Sequence, residues 1–168
     1  MTNSVYYFAY GSNMAVERLK NRVESAEKIC VTKLEGYLLM FHKVSKKDGS
    51  GKCDIINTGK LEDKVYGVLF KVQSNNLGTL DKYEGRGYGY ERTLVKVTSE
   101  SGETFDAETY VATDINTDIR PYLWYKEHVL RGAKASGLPE AYISMINAVD
   151  CDEDPDLERQ VREMAIYN

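Results

Sequence analysis

Tyr7-Phe8-Ala9-Tyr10-Gly11-Ser12-Asn13-Met14 decides how this chain begins to fold. Val5 to Tyr10 is an apolar, aromatic run of the length of a buried strand. Gly11 then interrupts it. A glycine there permits a positive φ or a close backbone approach. A short helix is predicted over Met14 to Val23, with Ser12 or Asn13 as its cap. Two readings of this strand–turn–helix stay open. It is an ordinary capped turn, or its clustered backbone N–H groups hold an anion or a developing oxyanion. G-x-G-x-x-G, G-K-[ST] and G-x-S-x-G are all absent, so dinucleotide, P-loop and serine-elbow readings fail.

Outward from this stretch, the first two-thirds of the chain read as strands and turns. Strands are expected at 29–34 and 37–44, joined at Glu35-Gly36, and at 53–59 and 65–72. Lys46 to Lys52 (KKDGSGK) reads as an exposed turn. A helix is expected over 74–84, capped by Ser74 or Asn75 and ended by Gly85. Strands at 90–98 and 105–113 pair around Glu100-Ser101-Gly102. From about 121 the pattern turns helical. Pro121 suits a first helical position, and Tyr122, Tyr125, Val129 and Ala133 share one face. Further helices follow Pro139 and Pro155. The whole is an α+β chain, mostly antiparallel sheet with helices packed around it, in a single domain over 1–168.

Composition narrows the function. The chain has 168 residues and a formal net charge of −4, which disfavours a general nucleic-acid binder. No apolar run reaches the roughly 18 residues of a membrane span. The first residues show no basic n-region or A-x-A-like site, so a cytoplasmic protein is expected. Cys30, Cys53 and Cys151 form no C-x-x-C pair, which fits a reducing compartment and no cysteine zinc site. Cys30, in an apolar strand, reads as a buried structural thiol. His42 and His128 form no H-E-x-x-H pattern. No metal and no cofactor are expected. The run Asp150 to Asp156 fails as a calcium loop, with Pro155 at the position that needs glycine. It reads as a solvated linker ending in a helix cap.

Acid–base chemistry therefore falls to Glu, Asp, Tyr or Lys. In Leu77-Gly78-Thr79-Leu80-Asp81-Lys82-Tyr83-Glu84-Gly85, Leu77 and Leu80 mark the core face of a helix. Glu84 lies four residues past Leu80, on that face. It also sits in the last turn, where burial and the helix dipole both disfavour a negative charge. A carboxylate placed against its preference is a candidate general acid/base. Outward snorkelling at a frayed helix end is the other reading. Asp81, four residues past Leu77, competes for the role. The loop Arg86 to Tyr90 is either a flap over a pocket or a glycine-rich hairpin start. The chain also carries 13 Tyr against 4 Phe and 1 Trp. The excess is either half-buried strand filler or the wall of a polar, aromatic cavity.

These segments resemble the γ-glutamylcyclotransferases. Tyr7 to Met14 is similar to that family's Y-F-A-Y-G-S-N-L loop, with Met14 for Leu. Leu80-Asp81-Lys82-Tyr83-Glu84-Gly85 is similar to its L-D-x-x-E-G segment, and Val65 to Phe70 to its V-W-G-V-V-W strand. Tyr125-Lys126, Gly132-Ala133-Lys134 and Gly137-Leu138-Pro139 with Tyr142 resemble its C-terminal pattern. Asn13 separates the chain from the glutathione-specific branch, which carries Y-G-S-L. The resemblance implies a barrel-like sheet flanked by helices and conversion of γ-glutamyl compounds to 5-oxoproline, without cofactor. It implies Glu84 as the catalytic residue. Tyr7, Phe8, Ala9, Tyr10, Gly11, Ser12, Asn13 and Tyr125 would bind substrate, with Tyr90 and Tyr110 beside them. It also implies a small γ-glutamyl substrate, no nucleic-acid or membrane partner, and a homodimer.

Overall fold

The computed structural model describes residues 3–168. Strand β1 (Ser4–Ala9) leads through a short 3-10 turn, Ser12–Met14, into helix α1 (Val16–Arg22). Strands β2 (Glu27–Glu35), β3 (Tyr37–Val44), β4 (Gly51–Asn57) and β5 (Lys64–Gln73) follow, then helix α2 (Leu77–Glu84). Strands β6 (Tyr90–Ser99) and β7 (Thr104–Ala112) precede helices α3 (Leu123–Ser136), α4 (Glu140–Asn147) and α5 (Leu157–Met164).

Five strands close a barrel in the order β1-β5-β2-β6-β7. The seam is one parallel pair, Tyr7 with Glu108, while the other neighbours run antiparallel. Closure removes the exposed strand edges that an open sheet would carry. Phe8, Val68, Leu69 and Phe70 are fully buried in the core. The strands β2 and β3 are consecutive in the chain but belong to different sheets, since β3 forms a separate two-stranded sheet with β4. That hairpin docks on the barrel through Asp54. Its buried carboxylate accepts from the Ala112 N–H at 2.8 Å and pairs with His42 Nε2 at 2.7 Å.

The antiparallel α+β architecture matches expectation, and several local readings need correction. Neither Ser12 nor Asn13 caps α1; the helix begins at Val16 with no side-chain cap. Both side chains have other partners, described below. No side chain caps the helix at Ser74 or Asn75 either, where a 3-10 turn precedes Leu77. Gly85 does end α2, in the left-handed conformation at φ 67°. Pro121 lies two residues ahead of α3, so Tyr122 is its boundary and not its first turn. The turn at 46–52 is not simply exposed: Ser50 is buried. The acidic linker is partly an anchor. Asp154 is 2% exposed, accepting from Trp124 Nε1 and from Arg159. Asp156 caps α5 as expected, accepting from the Arg159 N–H at 3.0 Å. Cys30 is half-buried, not enclosed.

Helix α3 sits directly on the turn that follows β1. A Cβ placed on Gly132 would meet the Met14 carbonyl carbon at 2.4 Å and the Ala15 nitrogen at 2.5 Å. Only a glycine lets the helix backbone come this close. Tyr125, Val129 and Ala133, predicted to share a face, are all buried on this side.

Candidate active site

Glu84 ends α2 at the barrel mouth, facing the turn after β1. Its Oε1 accepts from Asn13 Nδ2 at 2.9 Å and lies 3.9 Å from Arg22 Nη1. The negative charge that the helix end disfavours thus meets a donor and a cation. Asn13 Nδ2 also donates to the Tyr7 hydroxyl at 3.1 Å, and Asn13 Oδ1 accepts from Arg22 Nη1 at 3.2 Å. Asn13 is therefore a bridge between β1, α1 and α2. Ser12 Oγ accepts from Arg18 Nε at 3.1 Å. No intrachain acceptor pairs with the N–H groups of Gly11, Ser12 or Asn13 among the described residues.

Gly11 is needed for proximity, not for a positive φ. Its φ is −114°. A Cβ there would meet Cys53 Cβ at 3.0 Å and the Tyr125 hydroxyl at 3.4 Å. Asp81, the competitor for Glu84, is fully occupied. It accepts from the Tyr110 hydroxyl at 2.7 Å and from Arg92 and Arg86.

Two compartments meet at Glu84. The inner one is a hollow of about 30 Å³, walled by Tyr7, Tyr10, Gly11, Asn13, Tyr90 and Tyr110. The outer one is a cleft of about 310 Å³, bounded by α1, the 45–48 turn, the 85–90 loop and Trp124, at the small end of the range for ligand pockets. Ser12, Glu84, Tyr90 and Tyr125 line both.

The five tyrosines named from the sequence converge here, and their hydroxyls differ in use. Those of Tyr10 and Tyr90 donate to the Tyr110 and Cys53 carbonyls, and that of Tyr110 to Asp81. Those of Tyr7 and Tyr125 accept, from Asn13 and from the Cys53 N–H. Burial pushes all five phenols up from their ordinary value, so they stay protonated. Burial likewise raises the Cys53 thiol to about 12, which leaves it no thiolate character. Of the residues expected to bind substrate, Phe8 and Ala9 do not line either compartment. Both are core residues, at 0% and 1% exposure.

The sequence reading missed the cationic wall of the outer cleft. Arg22, Lys43, Lys46 and Lys52 all line it. Lys52 Nζ is 3.0 Å from Asp48 and stands over the rings of Trp124 and Tyr125. Burial lowers it to about 8 against the opposing pull of Asp48. The signal was present in the lysine-rich 46–52 turn, but nothing local tells such a turn from a solvated one. Among the described residues no group of three or more His, Cys, Asp or Glu could hold a metal ion, and no helix is long and apolar enough to cross a membrane.

A barrel mouth with a carboxylate at the junction of two compartments, a glycine turn and a tyrosine wall is a candidate small-molecule site. Comparison with known proteins agrees. The AIG2-like family matches residues 64–146. The Homo sapiens γ-glutamylcyclotransferase is 34% identical over 152 residues, spanning 88% of this chain and 79% of that one. The Mus musculus protein of that name is 32% identical over the same shares. A solved γ-glutamyl cyclotransferase superposes with a TM-score of 0.84 at 30% identity, covering 96% of this chain and 99% of its own. This chain belongs to the γ-glutamylcyclotransferase family.

Proposed function

We propose that this protein converts γ-glutamyl amino acids to 5-oxoproline and the free amino acid, with Glu84 as its acid/base. The observation that carries the reading is the position of Glu84, fixed by Asn13 where the two compartments join. The substrate's own α-amine attacks its γ-carbonyl carbon. A lactam C–N bond forms, and the original amide C–N bond breaks. The α-ammonium gives up two protons as it becomes the lactam N–H, and Glu84 relays them in turn to the departing nitrogen, which leaves as an ammonium, so atoms balance with no water or cofactor consumed. Both reacting groups belong to one molecule, so holding the bent conformer supplies much of the rate. The N–H groups of Gly11 to Asn13 would face the oxyanion or a substrate carboxylate. Tyr7, Tyr10, Tyr90, Tyr110 and Tyr125 would enclose the γ-glutamyl part.

The test is a panel of γ-glutamyl amino acids, amines and peptides assayed for 5-oxoproline, run with wild type and Glu84→Gln. Turnover by wild type is expected, with kcat lower by about 10²–10⁴ in the variant at unchanged stability. Near-wild-type kcat in the variant would refute the assignment of Glu84. The same panel separates amino-acid from amine or carrier-bound leaving groups. Silence across it would leave a non-catalytic binding module on this fold. The reading extends to a cytoplasmic homodimer in glutathione metabolism, and light scattering of the pure protein tests the dimer.

A further inference from the structure

The outer cleft carries charge that the proposed chemistry does not use. In a chain of net charge −4, it presents a wall of Arg and Lys side chains. Four of the eight are paired with a carboxylate, among them Arg22 at 3.9 Å from Glu84. Arg18 lies 2.7 Å from Glu163, Lys52 3.0 Å from Asp48, and Arg159 2.6 Å from Asp154. Lys43, Lys46, Lys47 and Lys82 are different. Among the described residues none of them has a carboxylate within 4.0 Å.

Of these four, Lys43 and Lys46 rest on aromatic faces. Lys43 Nζ lies 4.8 Å from the Tyr90 ring centroid, and its Cε fills the space where a Cβ on Gly89 would stand, 2.8 Å away. Lys46 Nζ lies 5.7 Å from the Tyr88 ring centroid. The tyrosine faces hold the two ammonium groups beside the cleft without cancelling their charge. Tyr90 is shared with the inner compartment, so Lys43 stands just outside the reacting centre.

A leaving amino acid brings one α-carboxylate into this cleft. The two unpaired cations held in place by tyrosine rings match two anionic groups. We propose that Lys43 and Lys46 form a subsite for the leaving group that selects γ-glutamyl compounds of acidic amino acids, which carry a side-chain carboxylate besides the α-carboxylate. This rests on the proposed cyclotransferase reading and names its leaving-group class.

The experiment compares γ-glutamyl-glutamate with its neutral isostere γ-glutamyl-glutamine. The kcat/KM ratio is expected to favour the acidic compound about tenfold at low salt, the factor that corresponds to about 1.4 kcal/mol. It should shrink at high ionic strength, because these charges are partly open to solvent. In Lys46→Gln and Lys43→Met, which keep the side-chain stems, the ratio should fall toward one. Calorimetric binding of both compounds to Glu84→Gln reads the same preference without turnover. A wild-type ratio at or below one, or a ratio unmoved by both substitutions, overturns the subsite. The tenfold binding preference with no 5-oxoproline from wild type overturns the catalytic reading and leaves the subsite standing. No binding and no turnover of either compound overturns both.

Discussion

Removing the Tyr125 hydroxyl separates two roles that one atom carries. It lines both compartments, and it accepts the Cys53 N–H at 2.9 Å. Tyr125→Phe should raise KM, but it also leaves a buried N–H without a partner, at a cost of about 1–3 kcal/mol. A urea titration alongside the kinetics measures both, and unchanged stability would show that the Cys53 N–H finds another acceptor. Asn13 is the residue whose role changed most between sequence and structure. A small polar residue after a glycine reads locally as a helix cap. Its amide is used instead on Glu84 and Tyr7, the first 71 residues away in the chain. Capping chemistry is local and legible; a partner that arrives from another element is not. Glu84 itself was legible because helix periodicity fixes which face a residue occupies.

At the scale of elements, the contact between α3 and the 12–14 turn is the tightest constraint on the site. Gly132→Ala would drive a methyl into backbone atoms of Met14 and Ala15, which cannot swing aside as a side chain can. Overpacking of this kind costs about 1–3 kcal/mol, occasionally more. We expect a matching drop in denaturation midpoint and a loss of activity from the displaced Asn13; a variant with wild-type kcat/KM would show that the turn moves independently of Glu84. Glycine 132 could be read in the sequence only as part of a resemblance, since no helical pattern asks for glycine in mid-helix. The β3–β4 hairpin shows the same limit. Its strands were legible, but its docking on the barrel depends on Asp54 reaching Ala112, with His42 of the same hairpin on its other oxygen.

At the scale of the molecule, the C-terminal helix is tied to the cleft by charge. Burial opposes ionisation of Glu163, but the hydrogen bond from His128 and the adjacent Arg18 outweigh it and hold the carboxyl near 2. Burial pushes His128 down, with Nε2 facing Glu163 and Nδ1 facing the Tyr167 hydroxyl. The sign follows from both directions. A lowered carboxyl stabilises the fold above its unfolded value, 4.5, and that contribution is lost as pH falls toward 2. A lowered imidazole adds loss in the same direction, beginning near its unfolded value of about 6.5. Urea midpoints should therefore fall on acidification, and Glu163→Gln should flatten the part below 4.5. An equally steep fall in the variant would remove Glu163 from the account. The tyrosine excess resolves at this scale too. Tyr7, Tyr10, Tyr90, Tyr110 and Tyr125 wall the candidate site, whereas Tyr66 packs edge-on against Tyr142.

The barrel seam sets an order on when the site can exist. Strand β1 comes early in the sequence, yet Tyr7 closes onto Glu108 and Gly11 is roofed by Tyr125. A chain that stops between Glu84 and α3 carries the glycine turn and Glu84 but lacks the helix that backs the turn and supplies Tyr125. Competence thus waits on α3, which docks on the turn that follows β1.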